Sequence, residues 1–244
     1  MATTLNEIVY DLWEAVRGNI SDDDVLDERL LKYFIHNQRA LWLRNEFNKN
    51  RTVDDAVIQD LGAVELEIDD RIIDNPYIQD KKILRSINEI PVTIERHNSP
   101  TITRVGSLDY KDRPFSFVDY TDAPFAGHGK FNKNEFFAFL LNRRMYVVSN
   151  CNNVRWKGLK YINVRGVFEN PEEASAFSHI DGTVCYGDES AYPINKWMIP
   201  YLKDAILKAD LKYFVRPISD NQNDANPDAN NITLKSEADA KGKE

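Results

Sequence analysis

The side chains that could do chemistry here begin with Glu65, Glu67, Asp69 and Asp70, four carboxylates bunched on one short stretch. A two-metal nuclease could hold its ions with such a group. The simpler account is the solvent face of an amphipathic strand, because Val64, Leu66 and Ile68 alternate with Glu65, Glu67 and Asp69. No lysine stands beside them at a nuclease-like spacing. His36, His97, His128 and His179 are scattered, with no i, i+4 pair of the kind that grips a metal on a helix. Gly127-His128-Gly129-Lys130 has the flavour of a phosphate loop. However, Pro124 holds the place of the first P-loop glycine, and Phe131 stands where Ser or Thr must follow the lysine. A turn between strands explains it better. Cys151 and Cys185 are the only cysteines and form no CxxC pair, so neither a zinc site nor a disulfide framework is indicated. No catalytic residue, metal site or cofactor site emerges from these groups.

The charge pattern is more informative. From Phe136 to Phe168 there is no Asp or Glu, while Arg143, Arg144, Arg155, Lys157, Lys160 and Arg165 occur there with Trp156 and Tyr161 among them. Against a formal net charge of −8 this is a basic island. Three readings stand side by side: contact with DNA phosphates, contact with an acidic segment of a neighbouring subunit, and pairing within the same chain. The net charge itself argues against a general nucleic-acid binder.

The elements that must position these groups follow from periodicity. Leu5, Ile8, Val9, Leu12, Trp13 and Val16 stripe one side of a helix over Leu5–Arg17, with Thr4 and Glu7 as a capping box and Gly18 as its stop. The longest helical signal is Ser21–Phe47. Ser21 reads as its cap, Asp22, Asp23 and Asp24 as its acidic first turn, and Leu30, Leu31, Phe34, Ile35, Leu41 and Trp42 as its apolar arc. Gln38 lies in the middle of that arc and Asn45 on the same line. Polar residues there either bond to the chain's own backbone or mark where another subunit packs. Thr52–Leu61 reads as a third, short helix.

From Val64 the period becomes two. Short strands are expected at Val64–Ile68, Ile83–Ile87, Val92–Glu95, Thr101–Val105, Phe115–Tyr120, Phe136–Leu141, Met145–Ser149 and Leu159–Phe168. Asn142–Arg143 forms the turn of a hairpin, and Gly166 marks a bulge. Helix returns at Asn170-Pro171-Glu172-Glu173 and should run to about His179. A last helix carries Ile194, Met198, Tyr201, Leu202, Ala205 and Ala209 on one face, starting or kinking at Pro200.

This makes an α+β fold. An N-terminal helical hairpin with a short helix (1–62) and C-terminal helices (170–215) frame an inserted antiparallel β unit (63–169). A polar segment, 216–244, follows, with Ile232 and Leu234 the only large apolar residues after Ser219. Such a composition needs a partner to order it. The opening residues are acidic and amphipathic, unlike a leader peptide, and no apolar run is long enough to span a membrane.

The runs YFIHNQRALWLRNEFNKNR, IQDLG, KYINVRGVFENPEEASAF and YPINKWMIPYLKDAILKADL resemble a virion structural protein of crAss-like tailed bacteriophages. The order of an early helix pair, a late WMIP-type helix and a polar tail also resembles the head–tail adaptor (connector ring) proteins of short-tailed phages. The resemblance covers about residues 5 to 215. It implies a non-enzymatic subunit of a dodecameric ring that docks on the portal protein and meets further tail or ring proteins. Such a ring continues the DNA channel toward the tail and passes genomic DNA without specific binding. It implies assembly in the host cytoplasm and a place in the virion, away from any membrane. One departure is the large β unit, since small adaptors are mostly helical. The expected contacts with a neighbouring subunit or partner are Asp22, Asp23, Asp24, Gln38, Asn45, Ile232 and Leu234. Arg143, Arg144, Arg155, Lys157 and Lys160 are candidates for DNA or an acidic partner. Two other functions fit parts of the sequence. One is a metal-dependent DNA-processing enzyme using Glu65–Asp70 with the basic island as substrate grip. The other is a folded module whose tail binds a single partner as a peptide.

Overall fold

In a computed structural model the described residues are 3–17, 26–49, 52–69, 83–97, 99–109, 112–132, 134–149, 158–187 and 189–213. The first helix, α1 (Leu5–Arg17), begins as its capping box dictates: the Thr4 backbone N–H donates to Glu7 Oε2 at 3.1 Å, and the Glu7 N–H donates to Thr4 Oγ1 at 3.3 Å. Leu5, Ile8, Val9, Leu12 and Val16 are buried. Trp13, at the edge of that stripe, is 37% exposed.

The second helix, α2, spans Glu28–Asn48, with Asp27 at its N-cap. It therefore starts later than the Ser21 expected from sequence, and its acidic first turn is Glu28. Asp22, Asp23 and Asp24 fall outside the helix and outside the described residues. Its fully inward line is Leu31, Ile35, Arg39, Leu43 and Phe47, every fourth residue. That line lies one residue, roughly 100°, round from the arc centred on Gln38. Leu41, expected inside, is 48% exposed. The reason is Arg39: hydropathy assigns a guanidinium to water, whereas here it is completely buried.

The third helix, α3 (Ile199–Ala209), has Pro200 in its first turn, where a missing N–H costs nothing. Ile199, Leu202 and Ile206 face inward, so Tyr201 and Ala209, expected on the apolar face, are exposed. The helices share one core with Val57, Ile94, Val167, Tyr192 and Ile194.

The described residues include ten strands: β1 (Gln59–Asp60), β2 (Val64–Ile68), β3 (Ile83–Ser86), β4 (Glu95–Arg96), β5 (Ser99–Pro100), β6 (Ile102–Gly106), β7 (Ser116–Phe117), β8 (Phe137–Leu141), β9 (Arg144–Val148) and β10 (Tyr161–Gly166). Eight of them form one sheet in the order β1-β10-β2-β3-β9-β8-β7, with β6 on the other edge of β10, while β4 and β5 pair separately. The sheet curls until its ends meet, and the Phe115 N–H just before β7 donates to Val105 O of β6 at 2.7 Å. Val64, Leu66, Leu84, Val105, Ala138, Met145, Val147, Ile162 and Val164 fill the inside of this barrel. The strands are antiparallel except β7, which runs parallel to β8 among the described residues. That pairing corrects the wholly antiparallel expectation. A long excursion separates the two strands, so no hairpin constraint forces them to oppose.

The β8–β9 turn is the expected hairpin, with Asn142 and Arg143 both at positive φ (50° and 61°). Register slips between Arg165 and Gly166 at the expected bulge. A Cβ at Gly166 would lie 2.9 Å from Thr101 O, so only glycine lets the strands close there. β8 and β9 are apolar on both faces, because Phe137, Phe139, Tyr146 and Val148 form a second cluster outside the barrel with Val118, Ala123 and Ala126.

Two expected helices are shorter. Within Thr52–Leu61 there is only a 3-10 turn, Asp55–Val57, capped by Asp54, and the chain then enters β1. The Asn170 cap forms as expected, accepting from the Glu172 N–H at 3.0 Å, but the helix is a 3-10 segment, Pro171–Ala176. It stops because the next backbone groups have long-range partners: Phe177 O accepts from Cys185 N–H, and Ser178 O from Ala63 N–H, both at 3.0 Å. Pairing to distant chain overrides local helix propensity.

Candidate subunit interface

The helical layer and the barrel meet at Arg39. Its Nε donates to Pro193 O at 2.7 Å and its Nη1 to Phe168 O at 2.8 Å, and the guanidinium sits 5.7 Å from the Tyr192 ring centroid. One buried cation thus ties α2 both to the chain leaving β10 and to the chain approaching α3. Among the described residues no carboxylate contacts it, and the backbone carbonyls and the ring supply the negative potential. His36, one turn earlier, has its Nδ1 3.0 Å from the Tyr192 hydroxyl, and its Nε2 lies 3.7 Å from Glu172. Burial, then Arg39 and Lys32, holds the imidazole down to about 4. Burial likewise raises the Tyr192 hydroxyl above its ordinary value. The sequence contained a signal for this joint, namely an arginine in the middle of an every-fourth-residue apolar line.

The candidate chemistry is dispersed. Glu65 is exposed. Glu67 accepts from Arg85 Nε at 2.6 Å, and the buried Asp69 lies 3.7 Å from Arg85 Nη1. Asp70 lies outside the described residues. Among the described residues no three His, Cys, Asp or Glu side chains are grouped to hold a metal ion. The Gly127–Lys130 stretch lies on a loop, with Gly127 at φ 77° and Phe131 93% exposed. Cys185 is half-buried, and its thiol is pushed up to about 11, first by burial and then by Asp60 and Asp181. That disfavours the reactive thiolate.

The described part of the basic island is engaged within the chain. Arg143 Nη2 donates to Glu173 at 3.1 Å, and Glu89 lies 3.7 Å from Nη1. Arg144 donates to Ser86 O at 3.1 Å and Ile87 O at 2.9 Å. Arg165 lies 3.6 Å from Asp60. Lys160 is exposed next to Tyr161, which sits opposite Glu65 across the β10–β2 ladder. Arg155 and Lys157 lie outside the described residues.

Of the expected subunit contacts, Gln38 and Asn45 lie two turns apart on α2. Gln38 Nε2 donates to Asp210 at 2.8 Å, pinning α2 to the end of α3, and Asn45 is exposed two turns on. Between them Trp42 stacks on Tyr201 (centroids 6.0 Å, 27°), and Trp197 meets Tyr201 edge-on (6.5 Å, 72°). Trp197 and Tyr201 remain 54% and 57% exposed. Exposed Trp and Tyr of this kind are enriched at protein interfaces. Sequence reading missed this aromatic ridge because it placed Tyr201 on the buried face of its helix. Ile232 and Leu234 lie outside the described residues. No described helix is long and apolar enough to cross a membrane.

Comparison with known proteins bears on what this surface does. The family model described as Phage tail ring protein 2 matches residues 7–231. The chain is also 22% identical over 231 residues to Ring protein 2 of Bacteroides phage crAss001, covering 93% of this chain and 99% of that relative.

Proposed function

The chain belongs to the phage tail ring protein 2 family of crAss-like bacteriophages, and from that premise we propose that it is a non-enzymatic structural subunit of a ring in the virion. The observation that carries the reading is the family match across nearly the whole chain. In the finer form of the proposal, twelve copies make a ring that docks on the portal and continues the DNA channel toward the tail. The ring assembles in the host cytoplasm. A net charge of −8 suits a wall past which DNA must slide without sticking. The pairing of Glu67 and Asp69 with Arg85 removes support from a nuclease using those carboxylates.

The direct experiment is a mass measurement on the purified full chain, alone and with its portal protein. A ring is expected in at least one condition, and a strict monomer in both refutes the proposal. We further propose that residues 216–244, with Ile232 and Leu234, strengthen assembly. Deleting Ser219–Glu244 should leave the melting temperature unchanged and weaken portal association. Equal association by the truncated chain overturns that role.

A further inference from the structure

A closed ring needs two different surfaces on each subunit, because every copy presents one flank to the neighbour before it and another to the neighbour after it. The helical layer exposes two such patches. One is the aromatic ridge of Trp197 and Tyr201, backed by Trp42 and bordered by Lys196. The other is a groove of about 620 Å³ between α1 and the start of α2, lined by Val9, Tyr10, Trp13 and Leu31, with Asp27 among its lining residues. On α2 the groove's Leu31 and the ridge's Trp42 are about 16 Å apart along the axis, so these are separate surfaces.

Resting on the ring reading above, we propose that the ridge of one copy docks into the α1–α2 groove of the next copy. Charge selects this pairing. Lys196 has no ionic partner among the described residues, nor has Asp27, and both are exposed. Lys203 already pairs with Asp11, Lys208 with Asp204 and Arg17 with Glu14 inside the chain, so the charges left to choose the partner are Lys196 and Asp27. Ridge against ridge would set Lys196 against its own copy, and groove against groove would set Asp27 against Asp27. Ridge into groove sets lysine against aspartate and aromatic against aromatic, giving a heterologous contact that repeats around a ring. The patch is the hot spot of a larger interface, since a stable contact covers about 800 Å² on each partner.

The test uses full-length chains carrying Trp197→Glu on the ridge or Tyr10→Glu in the groove. Both positions are exposed, so melting curves should match the wild type. Each variant alone should need a concentration at least about tenfold higher to assemble. Mixed in equal amounts, the two should form a heterodimer, because the intact ridge of the Tyr10→Glu chain still meets the intact groove of the Trp197→Glu chain. Sedimentation velocity, with and without the portal protein, separates the outcomes. If both variants form wild-type rings, this interface is refuted while the ring reading stands. If each is monomeric alone and in the mixture, the ridge–groove pairing is refuted. If the wild type itself is monomeric in both conditions, the ring reading fails and this inference with it.

Discussion

The barrel and the helical layer both pair charges within the chain, but they place their exposed aromatic groups differently. Around the barrel, charged side chains find partners within the chain: Arg85 with Glu67 and Asp69, Arg143 with Glu89 and Glu173, Arg165 with Asp60. Its sheet curls round so that the edges meet, and even the outer faces of β8 and β9 are covered. The helical layer has a core of its own but leaves Tyr10, Trp197 and Tyr201 more than half exposed on its helices, whereas the aromatics that exposed on the β unit, Tyr120, Phe125 and Phe131, sit on the loop between β7 and β8 and not on its strands. An element that has satisfied itself is a scaffold, and one that keeps large aromatics in water is prepared for a neighbour. The basic island, which stood out in the sequence, belongs largely to the first kind where it is described.

Arg39 belongs to both regions, and removing it should have the largest effect. Arg39→Ala leaves Phe168 O and Pro193 O without their donor and opens a gap between the cores. A loss of about 4 kcal/mol is expected in chemical denaturation. Hydrogen exchange should show the helices loosening before the barrel. Equal loosening of both would mean that the regions unfold as one, which would weaken the contrast.

The next effect is that of pH on the same joint. Unfolded His36 takes a proton near its ordinary 6.5, and folded His36 only near about 4. Between those values the unfolded chain binds more protons. Stability is therefore full above about pH 6.5 and falls as pH drops toward 4, by up to about 3 kcal/mol. His36→Asn should flatten that part of the stability–pH curve. An unchanged slope would show that other groups carry it.

Gly166→Ala acts on the barrel alone. The new methyl would press on Thr101 O, and a destabilisation of about 2 kcal/mol is expected by thermal melting. Ring formation by the fraction that remains folded should be unaltered. Trp197→Glu is the converse, with a stability change within about 0.5 kcal/mol and a large loss of assembly. If it instead unfolds the chain, Trp197 is a core residue and the division between scaffold and contact surface fails.

Local signals were legible. The Thr4–Glu7 box, the Asn142–Arg143 turn, the Gly166 bulge and the Asn170 cap each involve neighbouring residues whose types determine the geometry, and each stands where the sequence placed it. What could not be read depended on distant chain. The phase of α2 turns on Arg39 meeting carbonyls more than a hundred residues away. The 3-10 segment at Pro171–Ala176 ends because Ala63 and Cys185 claim the following carbonyls. The exposure of Tyr201 follows from the inward line of its helix being Ile199, Leu202 and Ile206, which turns Tyr201 to the side that faces water. The ridge–groove pair was invisible in sequence because its parts lie at opposite ends of the chain.

The β8–β9 hairpin has a further consequence for how the protein is made. Its two-residue turn lets it form early and locally, and Val118, Ala123 and Ala126, which cover its outer side, precede it in the chain. Across the barrel interior it faces Ile162 and Val164 of β10, and β10 comes later in the chain and pairs with β2 a hundred residues back. During synthesis this hairpin therefore waits with one greasy side shielded and the other bare. It is the segment where productive folding and aggregation compete.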